Sequence, residues 1–377
     1  MRKKLTDMCT IQYGYAFDSK EFTDNSNFPQ LVRIRDVKRG YSETFFRGKY
    51  SLEYIIHTGD LLIGMDGEFN IARWRSGDAL LNQRVCKVTV KEDVDEEYLR
   101  FSLSRALKQI ENRTSFVTVK HLSTKELNSL ELECPNIQKQ KEISDRLVKI
   151  EEIISLRQQQ LAKLDELVKA RFVEMFGNPL DGTAKYLIHQ VGKVAEAVDP
   201  QPSHRTPPIE EDGIPYISIK DCDYKTGVID FQGARRVSTK VLEEHLQRYT
   251  LHDGDFIIGK IGTIGQPIFV PSRKDYALSA NIVLIQPDSE LVSPYFLKYS
   301  FESDFVERQF AEAKNSTSQA AFGIQKVRTI EVMDPDLDVQ RTFERFTKQI
   351  DKLKLSIRKS LEQMEILKKA LMQKYFR

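Results

Sequence analysis

The sequence predicts an α+β protein in which two similar globular domains are each followed by a long helix, and the two helices pair as an antiparallel coiled coil. Three observations predict this fold class. The chain repeats itself with a period near 200 residues, each repeat ends in a heptad pattern of apolar residues, and the globular parts mix short apolar strands with helices such as 96–111 and 294–312. A chain of 377 residues is long enough for two domains that each bury a core.

Each domain is expected to contain a Gly-Asp turn followed by an apolar strand. Residues 57–64 read HTGDLLIG, and residues 252–259, which lie 195 positions later, read HDGDFIIG. Gly tolerates positive φ and an Asp side chain accepts hydrogen bonds from nearby backbone N–H groups, so both residue types favour turns. We therefore expect four structural turn residues: Gly59, Asp60, Gly254 and Asp255.

Two further pairs of segments support the repeat. Residues 28–36 (FPQLVRIRD) match residues 214–221 (IPYISIKD), and each is predicted to be a strand that begins near a Pro and ends in a basic-acidic pair. Residues 130–135 (LELECP) match residues 330–335 (IEVMDP), now 200 positions later. From this point the two halves stay in step to the end of the chain.

The last segment of each half carries apolar residues at alternating steps of three and four, which is typical of a coiled-coil seam. The expected seam of the first helix contains Ile143, Leu147, Ile150, Ile154, Leu161 and Leu164, with Arg157 at one core position. The expected seam of the second helix contains Ile350, Leu353, Ile357, Leu361, Met364 and Leu367, with one irregular step near Leu361.

At about 1.5 Å per residue, each helix would be roughly 50 Å long, which is too long for the interior of one compact domain. Its seam must therefore meet another helix. The partner in the same chain is the expected one, although heptads alone also allow pairing with a second chain. The expected organisation is a first domain at 1–139, a helix at 140–177, a second domain at 178–338 and a helix at 339–377.

Common catalytic and metal-binding signatures are absent from the sequence. It contains no P-loop, no dinucleotide-binding glycine pattern, no G-x-S-x-G elbow and no Asn-Pro-Pro-aromatic methyltransferase motif. The four cysteines and six histidines lack the spacing of zinc ligands. We therefore expect no catalytic residue, no metal and no cofactor, and we favour a turn role for Asp60 and Asp255 over a nuclease metal site.

The sequence has no apolar run near the ~20 residues that a membrane span requires, and no secretion signal. We therefore expect a cytoplasmic protein that does not contact a membrane. The net charge of +2 allows nucleic-acid binding without requiring it, because phosphate binding depends on a basic face and not on the average charge.

Basic, amide and hydroxyl side chains cluster in the loops of both domains, and these residue types contact phosphates and base edges. The candidate DNA-binding residues of the first domain are Arg33, Arg35, Lys38, Arg39, Arg73, Arg75, Gln83 and Arg84. Those of the second domain are Ser203, His204, Arg205, Lys220, Lys225, Arg235, Arg236, Lys260, Arg273, Lys274 and Asn281. For each position, the alternative is an ordinary solvated surface residue.

Taken together, these features resemble the specificity (S) subunit of Type I restriction-modification systems over essentially the whole chain. Residues 135–143 (PNIQKQKEI) are similar to the motif with which that family enters its long helices, and residues 335–343 (PDLDVQRTF) are a variant with Phe in place of Ile. The stretches 14–17 (GYAF) and 213–221 (GIPYISIKD) resemble the starts of the family's recognition domains.

The resemblance implies that the two domains are target recognition domains that read a bipartite sequence in double-stranded DNA, with the helices setting the gap between half-sites. It implies a non-catalytic chain whose partners are two methyltransferase (M) subunits and, in the full complex, restriction/translocase (R) subunits. S-adenosylmethionine, ATP and Mg would be bound by those partners. Because residues 65–84 and 260–281 differ in sequence, the expected target is asymmetric.

Two other hypotheses remain open from the sequence. The chain could be a coiled-coil adaptor that binds proteins and has no sequence-specific affinity for DNA, in which case its DNA binding would show neither a steep salt dependence nor a preferred sequence. It could also be a nuclease, in which case the purified chain alone would cleave DNA.

Overall fold

The computed structural model describes residues 1–113, 121–203, 205–224, 226–260, 264–315 and 323–376. The chain divides into two compact units. The first unit comprises Met1–Gln158 and Arg358–Arg377, and the second comprises Gln159–Ile357. Each unit therefore contains one globular domain together with segments of both long helices.

The first repeat contains eleven strands and five α-helices within the described residues. The strands are β1 (Arg2–Lys4), β2 (Cys9–Tyr13), β3 (Phe22–Thr23), β4 (Gln30–Val32), β5 (Phe45–Phe46), β6 (Ile55–Ile56), β7 (Leu61–Gly64), β8 (Asn70–Arg73), β9 (Ala79–Leu81), β10 (Val85–Val90) and β11 (Glu131–Glu133). The helices are α1 (Leu5–Met8), α2 (Ile34–Arg39), α3 (Glu96–Arg113), α4 (Thr124–Asn128) and α5 (Ile137–Phe176).

The second repeat contains the same number of each, counted over the part of the chain that the structure describes. The strands are β12 (Ile188–Gln190), β13 (Ala195–Val198), β14 (Ile214–Ile217), β15 (Cys222–Asp223), β16 (Val228–Ile229), β17 (Arg236–Val237), β18 (Phe256–Gly259), β19 (Ile268–Phe269), β20 (Ala277–Leu278), β21 (Ile282–Pro287) and β22 (Glu331–Met333). The helices are α6 (Thr239–Leu246), α7 (Pro294–Phe301), α8 (Asp304–Asn315), α9 (Ile324–Arg328) and α10 (Leu337–Tyr375).

The two domains have matching four-stranded sheets and two-stranded ribbons, as the sequence repeat predicts, whereas within the described residues their second sheets contain five strands in the first domain and three in the second. Each has a four-stranded antiparallel sheet, in the order β2-β10-β7-β8 in the first and β13-β21-β18-β19 in the second. Each has a second sheet built around a parallel pair, β4 with β9 and β14 with β20. A two-stranded ribbon, β1 with β11 or β12 with β22, precedes each long helix. The mixed architecture with two repeats confirms the predicted fold class.

The apolar strand after each Gly-Asp turn is buried on both faces. Leu61 and Ile63 of β7 pack in the cluster formed with α3, whereas Leu62 between them packs in the cluster formed with α2. In β18, Phe256 and Ile257 likewise point into different clusters. A strand covered on both sides needs a continuous apolar run, which explains why these segments do not alternate with polar residues.

The Gly-Asp turns have the same geometry in both domains. Gly59 has a φ of +99° and Gly254 a φ of +98°, values that favour glycine. The carboxylate of Asp60 accepts a hydrogen bond from the backbone N–H of His57 at 2.8 Å, and Asp255 accepts one from His252 at 2.8 Å. Within the described residues, no group of three or more His, Cys, Asp or Glu side chains could hold a metal ion.

The predicted helix over 294–312 is two helices. α7 ends at Phe301 and α8 begins at Asp304. Ser303 lies between them, and its hydroxyl accepts a hydrogen bond from the backbone N–H of Val306 at 3.4 Å. The polar residues Glu302 and Ser303 therefore separate the two helices, whereas the sequence pattern alone predicts one continuous helix.

The two long helices run antiparallel in each unit, which confirms the predicted pairing within the chain. In the first unit, Ile143 and Leu147 near the start of α5 pack with Leu371 and Phe376 at the end of α10. In the second unit, the end of α5 packs with the start of α10 through Phe172, Phe176 and Phe343, among others. Among the described residues, no helix is both long and apolar enough to cross a membrane.

The seam of both helices follows regular steps of three and four. Its buried or half-buried side chains in α5 are Ile143, Leu147, Ile150, Ile154, Arg157, Leu161, Leu164 and Val168. The corresponding side chains in α10, each 200 positions later, are Phe343, Thr347, Ile350, Lys354, Ile357, Leu361, Met364 and Lys368. The seam of α10 has no irregular step near Leu361.

The predicted seam is wrong at two residues, Leu353 and Leu367. They are 53% and 42% exposed, and the adjacent Lys354 and Lys368 occupy the seam positions instead. Each lysine can lie there because an acid on α5 neutralises it: Lys354 pairs with Asp165 at 2.5 Å and Lys368 pairs with Glu151 at 2.9 Å. The lysine stems contribute apolar surface to the seam while the ammonium groups reach its edge.

Candidate nucleic-acid interface

The ends of several strands meet at one edge of the first domain. β4 and β9 are parallel and pair Val32 with Leu81, so the next residues, Arg33 and Asn82, leave the sheet together. β7 and β10 are antiparallel neighbours, so the end of β7 and the start of β10 meet at this edge as well. The loop 82–84 therefore lies between the residue that follows β4 and the loop that follows β7.

Gly14 lets the segment after β2 approach the same edge. A Cβ atom on Gly14 would lie 2.0 Å from the carbonyl oxygen of Asn82, which leaves no space for any larger residue. The next residue, Tyr15, donates its N–H to the carbonyl of Leu81 at 3.0 Å and accepts the N–H of Gln83 at 2.7 Å. The side chain of Tyr15 is 52% exposed, so an aromatic ring stands beside the loop 82–84.

Four of the predicted DNA-binding side chains lie at this edge and are exposed: Arg33, Arg35, Gln83 and Arg84. Arg33 and Arg35 belong to the first turn of α2 and its N-cap. Arg84 has a φ of +69°, and its guanidinium pairs with Asp66 at 3.6 Å and lies 2.9 Å from Nε2 of His121. These four residues, with Tyr15, are referred to below as the first recognition edge.

A second basic group lies at the other end of α2. Lys38, Arg39 and Arg75 are all exposed. Gly40 ends α2 with a φ of +78°, its carbonyl accepts the N–H of Arg75 at 3.0 Å, and the stem of Arg75 lies against its Cα. Lys38 also pairs with Glu68 at 3.1 Å, so part of its charge is neutralised within the domain.

Arg73 is engaged within the domain, which does not favour its predicted role as a DNA contact. Its guanidinium binds Glu97 at 2.5 Å and Glu96 at 2.8 Å and donates to the carbonyl of Gly59 at 2.9 Å. Although burial lowers the pKa of Arg73, the hydrogen bonds and charges of the two glutamates raise it overall. This arginine joins the start of α3 to the Gly-Asp turn.

The second domain has an equivalent edge. β14 and β20 are parallel and pair Ile217 with Leu278, so the following residues leave the sheet together as they do in the first domain. The N–H of Lys260, after β18, donates to the carbonyl of Asn281 at 2.9 Å. The same bond joins Met65 to Arg84 in the first domain, also at 2.9 Å. Asn281 is therefore the structural equivalent of Arg84.

A second equivalence lies at the helical turn after the parallel strand. In both domains the first residue of this turn donates its N–H to the carboxylate of an Asp three positions later, at 2.9 Å for Asp36 and 2.8 Å for Asp221. Arg35 and Lys220 directly precede these aspartates and are exposed. Lys220 and Asn281, with Ser203 and Arg205, are referred to below as the second recognition edge.

Lys260 is likewise engaged within its domain, which does not favour its predicted role as a DNA contact. The residue is 5% exposed, and its ammonium group lies 2.8 Å from the carboxylate of Asp199. Both groups are largely buried, so the ion pair serves the interior of the second domain. Met65, the residue equivalent to Lys260 in the first domain, is apolar and buried.

A buried histidine orders the loop that carries Ser203 and Arg205. The side-chain amide of Gln201 donates to the hydroxyl of Ser203 at 2.9 Å and to the carbonyl of Arg205 at 3.3 Å. Its carbonyl oxygen lies 2.7 Å from Nε2 of His245, which must therefore be the protonated nitrogen of that ring. Burial, with the nearby charge of Arg248, lowers the pKa of His245 to about 4, so the ring is neutral at pH 7.

The remaining predicted residues of the second domain are not assigned to this edge. Arg235 and Arg236 are half-buried and donate to the carbonyls of Pro207 and Gly213, so they shape the loop between those residues. Arg273 and Lys274 are exposed but precede β20, whereas Asn281 follows it. His204 and Lys225 lie outside the described residues.

Sequence reasoning missed the residues that orient the edges. Asp66 and His121 flank Arg84, and Gln201 and His245 organise the 203–205 loop. Their role depends on neighbours that are distant in sequence, so no local pattern identifies them. Tyr15 was accessible to prediction only as part of the GYAF motif at 14–17.

The chemistry of both edges suits binding more than catalysis. Exposed guanidinium, ammonium, amide and hydroxyl groups are donors and acceptors for phosphates and base edges. Burial raises the pKa of Cys9, Cys86 and Cys222 to about 12, so these thiols are protonated and poor nucleophiles at neutral pH.

Comparison with known families gives two matched segments. The family described as the Type I restriction modification DNA specificity domain matches residues 1–166 and 207–366. The matches cover most of the chain and correspond to the two repeats.

Two curated relatives are similar along most of the chain. The Type I restriction enzyme EcoBI specificity subunit of Escherichia coli is 26% identical over 419 aligned positions, which cover 100% of this chain and 85% of the relative. The Type I restriction enzyme MjaVIII specificity subunit of Methanocaldococcus jannaschii is 21% identical over 336 positions, which cover 85% of this chain and 79% of the relative.

Two solved structures share the fold. The S subunit of a Type I restriction-modification system from M. genitalium aligns with a TM-score of 0.61 at 12% identity, covering 100% of this chain and 96% of that one. A chain from a study of complex assembly and conformational transition of the Type I system aligns with a TM-score of 0.54 at 15% identity, covering 100% and 97%. With the family match to both repeats, the chain belongs to the specificity (S) subunits of Type I restriction-modification systems.

Proposed function

We propose that this chain is the non-catalytic subunit that reads a bipartite, asymmetric DNA sequence and docks methyltransferase subunits onto it. Residues 1–139 and 178–338 would be the two target recognition domains, and 140–177 and 339–377 the spacer helices. The observation that carries the proposal is the equivalence of the two recognition edges, which share main-chain geometry and differ in side chains.

Within the proposal, positions that carry the same kind of residue in both edges have a different role from positions at which the two edges differ. Arg35 and Lys220 are basic at equivalent positions and suit the phosphate backbone, which is the same in every sequence. Arg84 and Asn281 are equivalent in position but differ in chemistry. Arg favours guanine and Asn favours adenine in the major groove, so two half-sites of different sequence are expected.

The exposed apolar residues of the long helices support docking of two methyltransferase subunits. Leu353 and Leu367 lie two heptads apart on the outer face of α10, and the equivalent residues of α5, Ile153 and Leu167, are exposed as well. Two equivalent apolar stripes fit two copies of one partner, because a repeated surface offers the same site twice. Restriction/translocase (R) subunits would be further partners in the full complex.

The proposal is tested by co-expressing the chain with the methyltransferase encoded beside it and mapping DNA methylation across a genome by single-molecule sequencing. A split motif with a fixed spacer, absent when this chain is omitted, is the expected result. A stable complex that methylates no motif would contradict the proposal and favour the alternative, a coiled-coil adaptor for proteins. The apolar stripes alone are compatible with that adaptor, so the methylated motif is the deciding observation.

A further inference from the structure

Two buried glutamines occupy equivalent positions in the first turn of the long helices. Gln140 and Gln340 are each 1% exposed. The side-chain carbonyl of Gln140 accepts the N–H of Asp95 at 3.0 Å, and its amide donates to the carbonyl of Pro135 at 2.8 Å. Gln340, 200 positions later, makes two equivalent bonds.

In the second unit, the side-chain carbonyl of Gln340 accepts the N–H of Ser293 at 2.8 Å, and its amide donates to the carbonyl of Pro335 at 2.7 Å. In both units the side-chain carbonyl of the glutamine binds the globular domain and its amide binds the segment that enters the helix. The amide of Gln140 also donates to the carbonyl of Asp93 in the domain at 3.3 Å. A buried amide with both functions satisfied fixes direction as well as distance, because hydrogen bonds weaken steeply when they bend.

The domain partner of each glutamine is itself a helix cap. The carboxylate of Asp95 accepts the N–H of Tyr98 at 2.8 Å at the start of α3, and the hydroxyl of Ser293 accepts the N–H of Phe296 at 3.3 Å at the start of α7. One glutamine therefore connects the N-terminus of a domain helix to the N-terminus of a long helix. This connection lies at the point where the domain passes into its helix.

Farther along the helices, each domain has a second anchor of a different kind. In the first unit, Arg100 of α3 binds Glu151 of α5 at 2.6 Å, and Lys368 of α10 binds the same glutamate. In the second unit, Phe296 of α7 packs on Phe172 and Phe176 of α5, with ring centroids 5.8 and 4.7 Å apart. The hydrogen bonds of the glutamine, by contrast, follow the same pattern in both domains.

We propose that Gln140 and Gln340 are positioning residues that fix the angle between each recognition domain and its helix, and thereby the spacer length that the complex accepts. This inference rests on the proposed function. A small rotation at the start of the helix displaces the distant recognition edge, so loss of the two bonds relaxes spacing without changing the side chains that read DNA.

The test uses the full chain in complex with its methyltransferase subunits and DNA substrates that carry the two half-sites with the native spacer or one base pair more or less. The variants are Gln140→Met and Gln340→Met, which keep the size of the side chain and remove its hydrogen bonds to the domain and to the start of the helix. We expect the preference for the native spacer to fall about tenfold, the effect of one or two lost hydrogen bonds on an equilibrium between orientations.

Ser144→Ala and Thr347→Val are the matched controls. Both hydroxyls are buried and donate only to carbonyls within their own helix, those of Lys141 and Glu344. These variants should keep the native spacer preference. If a Met variant does not fold, Gln140→Glu or Gln340→Glu replaces it, because the isosteric carboxylate keeps the acceptor and loses the donor.

Variants that lower methylation equally at all spacers, or that leave the preference unchanged, overturn the inference. Failure of the proposed function has a different signature. In that case the wild-type complex itself shows no spacer-dependent methylation. The wild-type measurement therefore separates the two outcomes.

Discussion

Arg84 and Asn281 occupy the same main-chain position, because the carbonyl of each accepts a hydrogen bond from the residue that follows the buried strand. Arg35 and Lys220 form a second equivalent pair. The two domains thus have cations at one equivalent position and different side chains at the position that is expected to face bases. Charge contributes affinity for any sequence, and the individual side chains contribute selectivity.

The shared cations lead to a prediction on salt dependence. Arg35→Ala or Lys220→Ala should weaken binding of the M-S complex to its target and to unrelated DNA alike. Each should also reduce the slope of log affinity against log salt by about one, because one phosphate contact is lost. Lys359→Ala, at an exposed lysine of α10, is the control and should leave the slope unchanged. A specific loss at one base position would contradict a phosphate role.

His245 leads to a prediction on pH. Its pKa is lowered to about 4 in the folded protein, mainly by burial, whereas an unfolded histidine titrates near 6.5. The unfolded state therefore binds a proton first, and the stability of the second domain should fall as pH decreases from 6.5 toward 4. The loss should reach about 2 kcal/mol at pH 5.

Urea unfolding of the wild-type chain and of His245→Asn at pH 7.5 and pH 5 measures this contribution. At pH 7.5 the free energy of unfolding should be lower for His245→Asn than for the wild type, and it should decrease less between pH 7.5 and pH 5. His57→Asn, at an exposed histidine, should retain the wild-type dependence. An unchanged pH dependence in His245→Asn would rule out this histidine as the titrating group.

At the scale of elements, the long helices carry two kinds of apolar residue. One set faces the partner helix and forms the seam, and the other faces outward in two equivalent stripes. Leu353 and Leu367 belong to the second set because Lys354 and Lys368 occupy the seam with their acid partners. A polar residue at a seam position specifies register, since it must meet its partner to be tolerated.

The corrected seam predicts unequal effects of two neighbouring truncations. Ile350→Ala removes a buried side chain and should lower the free energy of unfolding by about 2–4 kcal/mol. Leu353→Ala removes an exposed one and should change it by less than about 0.5 kcal/mol. Denaturant unfolding of the two variants gives the comparison. Equal losses in the free energy of unfolding would mean that Leu353 belongs to the seam, as the sequence predicted.

The outward stripes predict the stoichiometry of partner binding. Leu353→Glu with Leu367→Glu should remove one methyltransferase subunit from the complex, and Ile153→Glu with Leu167→Glu should remove the other. Native mass spectrometry would show one bound subunit in place of two. Leu355→Glu is the control, because Leu355 is equally exposed but lies about 200° around the helix from Leu353. Retention of both subunits would exclude the stripes as docking sites.

At the scale of the whole molecule, much of the fold could be predicted from sequence because the duplication shows each pattern twice. The antiparallel helices and the buried strands after the Gly-Asp turns are confirmed in this way. The candidate site was harder to predict from the sequence. In the sequence Arg73 and Lys260 cannot be told from exposed cations, and only their distant partners, Glu96, Glu97 and Asp199, show that ion pairs within the domains engage them.

Because each edge belongs to its own domain, the defects caused by substitutions in the two edges are predicted to be separate. Arg84→Ala should relax the methylated motif in one half-site only, and Asn281→Ala in the other half-site only. Each lost base contact should cost about 1–3 kcal/mol of discrimination at its position. Methylome sequencing of the two variants and of the wild type is the measurement. Relaxation of both half-sites by one substitution would mean that the domains do not read independently.

The main-chain bonds from Met65 to Arg84 and from Lys260 to Asn281 have a consequence for how such a protein changes over generations. Because carbonyl and N–H groups make these bonds, the side chain at position 84 or 281 can be exchanged without removing the atoms that support the edge, provided that the residue at 84 tolerates a φ of +69°. Selection can therefore alter what one half of the molecule recognises while the scaffold and the other half are inherited intact.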